Sequence, residues 1–485
     1  RAASSAALGR LKRLALGLSL LAAATPAAAV ETLYLQGPLG LQRLSVNLQE
    51  LSSPEALWSG SSDLAELNRA TDGRLGRSLQ TLLTTPLPLP VQLGLDNPMA
   101  RQVEMLVQSL VEPSERQWQL PVVQAGASLP WLRQAAASGE PLTLLTLLRV
   151  LPGDELTIRL DRALPALRKM TSQNAALDQQ ILAQTPLPAA PAAELARGPR
   201  AVVRRVVVLA NGLELTVVRP VGAPELPTVL ISHGLWDAPL SFLGWAEHLA
   251  SHGAVVVLPR HSGSDTRQQT SMLAGRSEPP KPEEFLRRPA ELKAVLDALE
   301  AGQIPGAAGA PARDVVLIGH SWGATSTLQL AGARSVEDPL WQACQQANHP
   351  SRNPSWVLQC GVLPAAQPES LLDARLARVV AVSPPQGLVF AGGLSDLAIP
   401  VLLISGSRDL VVPAQPEAIE PFARYSQGAH RLVVARDGTH FNLPSASGGN
   451  GGSLRALLLA WVKGEPIGPD ARVAGPAGLA LFQLR

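Results

Sequence analysis

Cysteine, aromatic residues and charge are scarce in this sequence. The chain has 485 residues, with 2 cysteines, 4% aromatic residues and 16% charged residues. Its histidines show no HxH or HxxxH pattern and the cysteines no CxxC pattern, so a metal centre with short ligand spacing is not expected. The formal net charge is only +2, and no dense basic run is present, which argues against a nucleic-acid-binding protein.

The N-terminus lacks an apolar run long enough to cross a membrane. Four basic residues accompany a short apolar run at 14–24, and small residues follow at Ala27 and Ala29. A membrane-spanning helix needs about 20 apolar residues. Residues 1–29 therefore predict a signal peptide, and with it a periplasmic or secreted protein. A retained membrane anchor is the alternative.

The composition of the chain changes near residue 200. Residues 30–183 are leucine-rich with helical spacing and contain no histidine or cysteine, which predicts a mainly helical accessory or cap domain. Residues 184–200 are rich in proline and alanine and predict a linker. Residues 201–465 alternate β-branched runs with helical patterns, which predicts an α/β domain. Residues 466–485 are expected to form a C-terminal tail.

Strand-like runs organise the predicted α/β domain. The first two flank Asn211-Gly212, a typical hairpin turn. Near-continuous apolar runs then alternate with helical patterns, which predicts a mostly parallel eight-stranded sheet flanked by helices. The runs are VVRRVVVLA, LELTVVRP, TVLISH, AVVVLP, DVVLIGH, RVVAVS, PVLLISG and RLVVAR.

An insertion at 334–377 interrupts this alternation and contains both cysteines. We interpret it as a lid-like excursion, with a surface loop remote from the substrate as the alternative. In an exported protein, Cys344 and Cys360 favour a disulfide over two free buried thiols.

The stretch GHSWG, residues 319–323, carries the strongest chemical signal. It fits G-x-S-x-G and lies between the strand-like DVVLI and the helical ATSTLQLAGA. A serine at a sharp strand-to-helix turn has an exposed hydroxyl next to a helix N-terminus. This context predicts Ser321 as a nucleophile.

A serine nucleophile needs a base, and three histidines follow Ser321 in the chain. His440 lies in the small, polar loop RDGTHFN after a strand-like run. His349 lies in the insertion, and His430 begins a strand. Because loops at strand ends carry catalytic groups, His440 is the predicted base.

The acid that orients the base is expected in a loop that follows another strand. Asp409 follows PVLLISG and is the predicted acid. Asp437 is explained by a surface turn, and Asp396 precedes a strand and is expected at the opposite sheet edge.

Two backbone amides are predicted to bind the oxyanion. Trp322 follows the nucleophile, and Leu235 follows Gly234 in SHGLWDAP, the turn after the third strand-like run. Trp236 and Trp322 are substrate-binding candidates that line an acyl pocket, with core packing as the equal alternative.

These motifs resemble the α/β-hydrolase family. SHGLWDAP, LPRHSGSD, FLRRPAELKAVLDAL, IGHSWGA, SGSRDLVVP and DGTHFNL occur in the family's order across roughly residues 203–465. The resemblance is to the platelet-activating-factor acetylhydrolase-like and dienelactone-hydrolase-like branches, which implies a serine esterase or lipase. The opening ETLYLQGPLGLQRLSVNLQEL is similar to a domain of unknown function found ahead of bacterial α/β hydrolases.

The chain departs from both branches. Dienelactone hydrolases have a cysteine where this chain has Ser321. Platelet-activating-factor acetylhydrolases place their acid after the sixth strand, where this chain has Ser383-Pro384-Pro385. The position of Asp409 is similar to that in lipases, cutinases and polyester hydrolases.

Motifs and resemblance together predict an exported serine hydrolase that cleaves carboxylic esters, of lipids or small acyl compounds, through an acyl-enzyme and without a cofactor. One alternative is a catalytically idle scaffold that binds an envelope partner or lipid. Another is a thioester or amide hydrolase with the same three residues. A lipid substrate would be compatible with contact at a membrane surface, and the sequence leaves the oligomeric state open.

Overall fold

The structure is a computed structural model of the chain. It describes residues 30–36, 43–74, 97–113, 143–149, 155–184, 186–274, 276–335, 340–347, 349–390, 394, 397–425, 429–444, 452, 454–467 and 479–484. The predicted signal peptide, residues 1–29, lies outside them. Described residues of Arg1–Leu87 and Val111–Asp161 form a small compact unit, and those of Pro88–Leu110 and Arg162–Arg485 form a large one.

Strands and helices have the following bounds. The strands are β1 Thr32–Gln36, β2 Arg43–Asn47, β3 Val111–Pro113, β4 Glu155–Arg159, β5 Val202–Val208, β6 Glu214–Pro220, β7 Val229–Ser232, β8 Val256–Pro259, β9 Val315–His320, β10 Leu376–Val382, β11 Val401–Gly406, β12 Arg431–Ala435 and β13 Leu481–Leu484. The α-helices are α1 Pro54–Ser59, α2 Asp63–Ala70, α3 Pro98–Leu110, α4 Leu144–Arg149, α5 Leu160–Leu182, α6 Ala192–Leu195, α7 Leu243–Ser251, α8 Thr266–Leu273, α9 Glu284–Glu300, α10 Trp322–Leu330, α11 Leu340–Cys344, α12 Trp356–Val362, α13 Glu420–Tyr425 and α14 Arg455–Lys463. Short 3₁₀ segments lie at Glu50–Ser52, Pro239–Phe242 and Leu363–Ala365, and a π-helical turn at Gln415–Ile419.

The small unit contains a sheet that the sequence prediction missed. Its four strands have the order β2-β1-β4-β3. β1 pairs in parallel with β4, so that Leu33 lies opposite Leu156, and both side chains are buried. Such short strands show little periodicity, and their partners are far apart in sequence. The expectation of a mainly helical region therefore accounted for only part of this unit.

The large sheet has nine strands in the order β13-β12-β11-β10-β9-β7-β8-β6-β5. The eight predicted runs form β5 to β12, and the pairings from β8 through β12 are parallel. The ninth strand, β13, pairs antiparallel with β12. It lies within the predicted tail, which corrects the expected count of eight. Its sequence LFQL is too short to be recognised without the edge strand on which it pairs.

Hydrophobic side chains cover both faces of this sheet, as the near-continuous apolar strands predicted. Alternate residues of β9 point to opposite sides: Val315 and Leu317 belong to one core cluster and Val316 and Ile318 to the other. The first cluster includes residues of α9 and α10, and the second includes residues of α7 and α14. The sheet thereby holds the ends of its parallel strands in fixed register.

Segments from the predicted accessory domain and linker pack within the large unit. Met99 of α3, together with Leu177 and Ile181 of α5, is buried in one of its core clusters. Leu187 donates its N–H to the carbonyl of Leu481, 2.8 Å away, and Arg455 binds the carbonyl of Leu195 at 2.7 Å. The described residues of 184–200 are therefore packed within the large unit. None of the helices among the described residues has the length and apolarity needed to cross a bilayer.

Candidate active site

Ser321 lies on a strained turn between β9 and α10. Its backbone has φ 53° and ψ −125°, a conformation that residues other than glycine rarely adopt. A Cβ at Gly319 would collide with the carbonyl of Gly323, and one at Gly323 would collide with the carbonyl of Ser232. Gly319 therefore lets β9 approach α10, and Gly323 lets α10 approach the end of β7, as the glycines of G-x-S-x-G predict for a tight turn.

His440 and Asp409 meet at the same edge of the sheet. Asp409 follows β11, His440 follows β12, and Nδ1 of His440 lies 2.9 Å from Oδ2 of Asp409. The second carboxylate oxygen, Oδ1, accepts N–H groups of Val411 at 2.9 Å and Val412 at 2.8 Å. Both carboxylate oxygens are thus engaged, and the imidazole donates from Nδ1, which leaves the lone pair on Nε2.

The residue before Ser321 connects the two loops. His320 places Nε2 3.0 Å from the carbonyl of His440, and the two imidazole rings have centroids 4.7 Å apart. Burial and the nearby His440 hold the pKa of His320 well below its usual range, so this bond comes from a neutral imidazole. Ser321 is 7% exposed and His440 is 6% exposed. Among described residues no hydrogen bond joins Ser321 Oγ to His440; such bonds are often long in unliganded enzymes.

The loop after β7 lies beside Ser321. A Cβ built on Gly234 would be 3.1 Å from the Cβ of Ser321, a tighter contact than most side chains make, so glycine favours this close approach. Trp236 has φ 54°, and its N–H donates to the carbonyl of Ser264 at 2.7 Å. Within the described residues, no protein acceptor takes the N–H of Leu235 or Trp322. Leu235 follows the glycine that packs against Ser321, and Trp322 follows Ser321 itself, so their N–H groups stay the predicted oxyanion donors.

The two tryptophans have different surroundings. The side chain of Trp322 is buried in the core, and the guanidinium of Arg288 lies over its ring at 4.5 Å. Trp236 is half-buried, and its indole N–H donates to Oε1 of Gln268 at 2.9 Å. This packing favours the core alternative for Trp322, whereas a role in substrate binding stays a prediction for Trp236.

Among the described residues, the other candidates for base and acid have other partners. His349 packs on Trp356 with centroids 5.0 Å apart, and His430 accepts the N–H of Val401 at Nδ1. Asp437 pairs with Arg408 at 2.8 Å. Asp396 lies outside the described residues.

The insertion is anchored by a disulfide and by a carboxylate that the sequence did not single out. Cys344 and Cys360 are joined, which links α11 to α12. Glu417, which is buried, accepts hydrogen bonds from the insertion and from the loop after β10. Its donors are the side chains of Asn353, Ser355 and Gln359 and the amides of Gln386 and Gly387. The insertion is therefore tied to the chain segment that follows Asp409.

A second serine–histidine–carboxylate array lies beside the first and also escaped the sequence interpretation. Ser232 Oγ is 2.9 Å from Nε2 of His261, whose Nδ1 is 2.6 Å from Oε2 of Glu291. Burial and the charges of Arg288 and Arg287 hold the pKa of His261 well below its usual range. Ser232 and His261 are fully buried. The only sequence signal was a histidine two residues after a strand, in LPRH.

No group of histidine, cysteine and carboxylate side chains suited to hold a metal ion occurs among the described residues.

Residues 229–447 match the family model described as the alpha/beta hydrolase family. The matched region runs from β7 to just beyond His440 and includes Ser321 and Asp409. Together with the mostly parallel nine-stranded sheet, it shows that the large unit has the α/β-hydrolase fold and supports a hydrolase of some kind. A comparison with curated proteins finds no match. The resemblance to narrower branches and to an N-terminal domain stays a prediction.

Proposed function

We propose that the protein is a serine hydrolase that cleaves carboxylic esters. The observation that carries the proposal is the contact of the His440–Asp409 pair with the turn that holds Ser321. A serine hydroxyl is a weak nucleophile until a base takes its proton. A neutral imidazole that donates from Nδ1 to Asp409 keeps its lone pair on Nε2, which is the tautomer that a base requires.

In the proposed reaction, Ser321 Oγ attacks the ester carbonyl while His440 Nε2 takes its proton. The N–H groups of Leu235 and Trp322 bind the oxyanion of the tetrahedral intermediate. His440 then returns the proton to the leaving alcohol, and the acyl group stays on Ser321. Water, deprotonated by His440, then attacks the acyl carbon; the bond to Ser321 Oγ breaks, the carboxylic acid leaves and His440 returns the proton to Ser321 Oγ. No cofactor takes part in these steps.

The substrate is proposed to be a lipid ester or a small acyl ester. The same residues support thioester or amide hydrolysis as a second candidate, because the oxyanion chemistry is shared. An idle scaffold is less favoured, since the strained Ser321 backbone and the oriented His440–Asp409 pair serve no evident purpose in binding alone.

The test combines labelling with turnover. Purified protein is treated with a fluorophosphonate probe, and the modified residue is identified by mass spectrometry. We expect a single adduct on Ser321 and hydrolysis of short p-nitrophenyl esters. Ser321→Ala is expected to lose labelling and at least about 10³-fold of kcat, because acyl-enzyme formation needs the hydroxyl.

A matched panel of ester, thioester and anilide with one acyl group separates the candidate bonds. The ester is expected to have the highest kcat/KM. Full activity of folded Ser321→Ala would overturn the assignment of the nucleophile. Absence of labelling and turnover in the wild type would favour the idle scaffold.

Export is proposed as well. Residues 1–29 have the composition of a signal peptide, and the Cys344–Cys360 disulfide is supportive because such bonds persist in oxidising compartments. Intact-mass analysis of protein from a fractionated host should give a mature chain that begins after Ala29; an uncleaved chain in the membrane fraction would instead indicate an anchor.

A further inference from the structure

Arg288 of α9 is buried in the interior of the large unit, with none of its surface exposed. Each guanidinium nitrogen binds one acceptor: Nε donates to Ser264 Oγ at 2.9 Å, Nη1 to the carbonyl of His233 at 2.7 Å and Nη2 to the carbonyl of Gly234 at 3.1 Å. Burying a cation is costly unless its donors are satisfied. A guanidinium so completely engaged is a fixed part of the local architecture.

The carbonyl of Gly234 belongs to the same peptide group as the N–H of Leu235, the proposed oxyanion donor. Holding the oxygen of a planar peptide also fixes the direction of its N–H. His233 Nδ1 lies 2.8 Å from the same carbonyl, while Nε2 of His233 accepts the N–H of His261 at 3.0 Å. The imidazole therefore donates from Nδ1, and the carbonyl receives two donors.

Two donors on one carbonyl also strengthen the N–H at the other end of that peptide. Hydrogen bonds in series polarise one another in a low-dielectric interior. The peptide flanked by Arg288 and His233 is thus a better donor than an unassisted amide. Trp236, on the far side, is held by its own bond to the Ser264 carbonyl.

Arg288 also contacts the other oxyanion donor. Its guanidinium lies 4.5 Å from the ring centre of Trp322, the residue whose N–H is the second proposed donor. Burial lowers the pKa of Arg288 to about 10, which leaves it charged at neutral pH. One buried cation therefore contacts both the peptide group that carries the Leu235 N–H, through the Gly234 carbonyl, and the ring of Trp322.

We infer that Arg288 is a positioning residue that organises the oxyanion hole, by fixing and polarising the Gly234–Leu235 peptide and by packing on Trp322. The inference depends on the proposed function, since it assigns a role within the same reaction. It predicts an effect on the transition state and little effect on substrate binding.

The test compares Arg288→Lys with Arg287→Lys, a neighbouring arginine on the same helix whose side chain is half-exposed and pairs with Glu284 and Glu291. Ammonium keeps the charge but loses the planar fork. Removal of a direct oxyanion donor typically lowers kcat by about 10²–10³-fold. Because Arg288 acts indirectly, we expect Arg288→Lys to lower kcat by about 10–100-fold. KM should stay within about threefold.

A trifluoromethyl ketone inhibitor gives the readout that a merely structural role would not move. Its adduct with Ser321 carries an oxyanion, so its affinity should fall in Arg288→Lys by the same factor as kcat. Rates are expressed per fluorophosphonate-titrated site, so any unfolded fraction drops out. Ser264→Ala is the second variant, because it removes one acceptor of Arg288 and keeps the charge. It should lower kcat and inhibitor affinity by a smaller factor than Arg288→Lys.

Unchanged kcat per site and unchanged inhibitor affinity in Arg288→Lys and Ser264→Ala would overturn the inference. Equal losses in Arg287→Lys would overturn it too, since they would indicate a general effect of helix α9. Failure of the wild type to label or turn over would instead overturn the proposed function, so the two failures are distinguishable.

Discussion

Two serine–histidine–carboxylate arrays lie within the large unit, and they differ in surroundings more than in chemistry. In the buried array, Ser232, His261 and Glu291 are hydrogen-bonded in series at 2.9 and 2.6 Å. In the candidate active site, the histidine–carboxylate bond is 2.9 Å. By distances alone, the buried array is the more complete of the two.

The backbone around each serine reverses that ranking. Ser232 is the last residue of β7 and is fully enclosed. Ser321 lies on a positive-φ turn at the start of a helix, with Gly234 packed against it. A nucleophile needs room for a carbonyl carbon and donors for its oxygen. The comparison teaches that side-chain spacing alone does not identify a catalytic serine.

The largest difference in kcat between the two arrays is expected when the carboxylate of each, Asp409 or Glu291, is replaced by an amide. In Asp409→Asn, the two N–H groups that now bind Oδ1 should retain the carbonyl oxygen and turn the NH₂ toward His440. The imidazole would then hold its proton on Nε2, the wrong tautomer for a base. We expect kcat to fall by about 10³–10⁴, measured with a p-nitrophenyl ester.

Glu291→Gln is the control for that variant. His261 can change tautomer there without consequence, because the hydroxyl of Ser232 either donates or accepts. We expect kcat within about threefold of the wild type. If Glu291→Gln lost activity and Asp409→Asn kept it, the roles assigned to the two arrays would have to be exchanged.

A buried histidine outside both arrays isolates the effect of burial on stability. Burial, and then the charges of His252 and Arg455, lower the pKa of His248 to about 3. In the unfolded chain this imidazole takes a proton below its ordinary pKa of 6.5, while in the folded protein it stays neutral. The stability it provides is therefore lost as pH falls below about 6.5, with a slope of about 1.4 kcal/mol per pH unit.

Urea unfolding at pH 7.5 and pH 5.0 measures this contribution. His248→Gln should reduce the pH-dependent change in the free energy of unfolding by about 2 kcal/mol. Ester turnover at pH 7.5 should stay at the wild-type level. If the free energy of unfolding changed between the two pH values by the same amount in His248→Gln as in the wild type, the proposed burial of a neutral His248 would be refuted.

The smallest effect is expected from Ser232→Ala. Loss of the hydroxyl leaves Nε2 of His261 without its partner, which should cost about 1–2 kcal/mol of stability. Turnover should remain within about twofold, in contrast to Ser321→Ala. Thermal unfolding and kcat are measured on the same preparation of Ser232→Ala. A loss of activity without a loss of stability would contradict a purely structural role for Ser232.

Local patterns predicted the parts of the fold that depend on neighbours in sequence. The apolar runs from VVRRVVVLA to RLVVAR all form strands, because each contains enough apolar residues, many of them β-branched, to be recognised alone. β13 and the sheet of the small unit were missed, since their short strands gain stability only from distant partners. Leu33 and Leu156 show this, because they lie opposite each other in one sheet.

The site shows the same division. Ser321 was predictable because its glycines, strand and helix are contiguous, and His440 and Asp409 because each follows a recognisable strand. Arg288 and Glu417 carried no such signal. Arg288 lies in a helix and Glu417 in a π-helical turn. The partners of each are carbonyls, amides and side chains far away in the sequence.

The sequence by itself determined the alternation of strands and helices, the position of the G-x-S-x-G turn and the loops in which a base and an acid could lie. Only the tertiary structure revealed the second, buried serine–histidine–carboxylate array and the buried cation that binds the loop after β7. The physical reason is that hydrogen-bond direction, burial and backbone strain depend on segments brought together by folding. Residues such as Gly234 and Ser321 become neighbours only when β7 and β9 pair in the sheet.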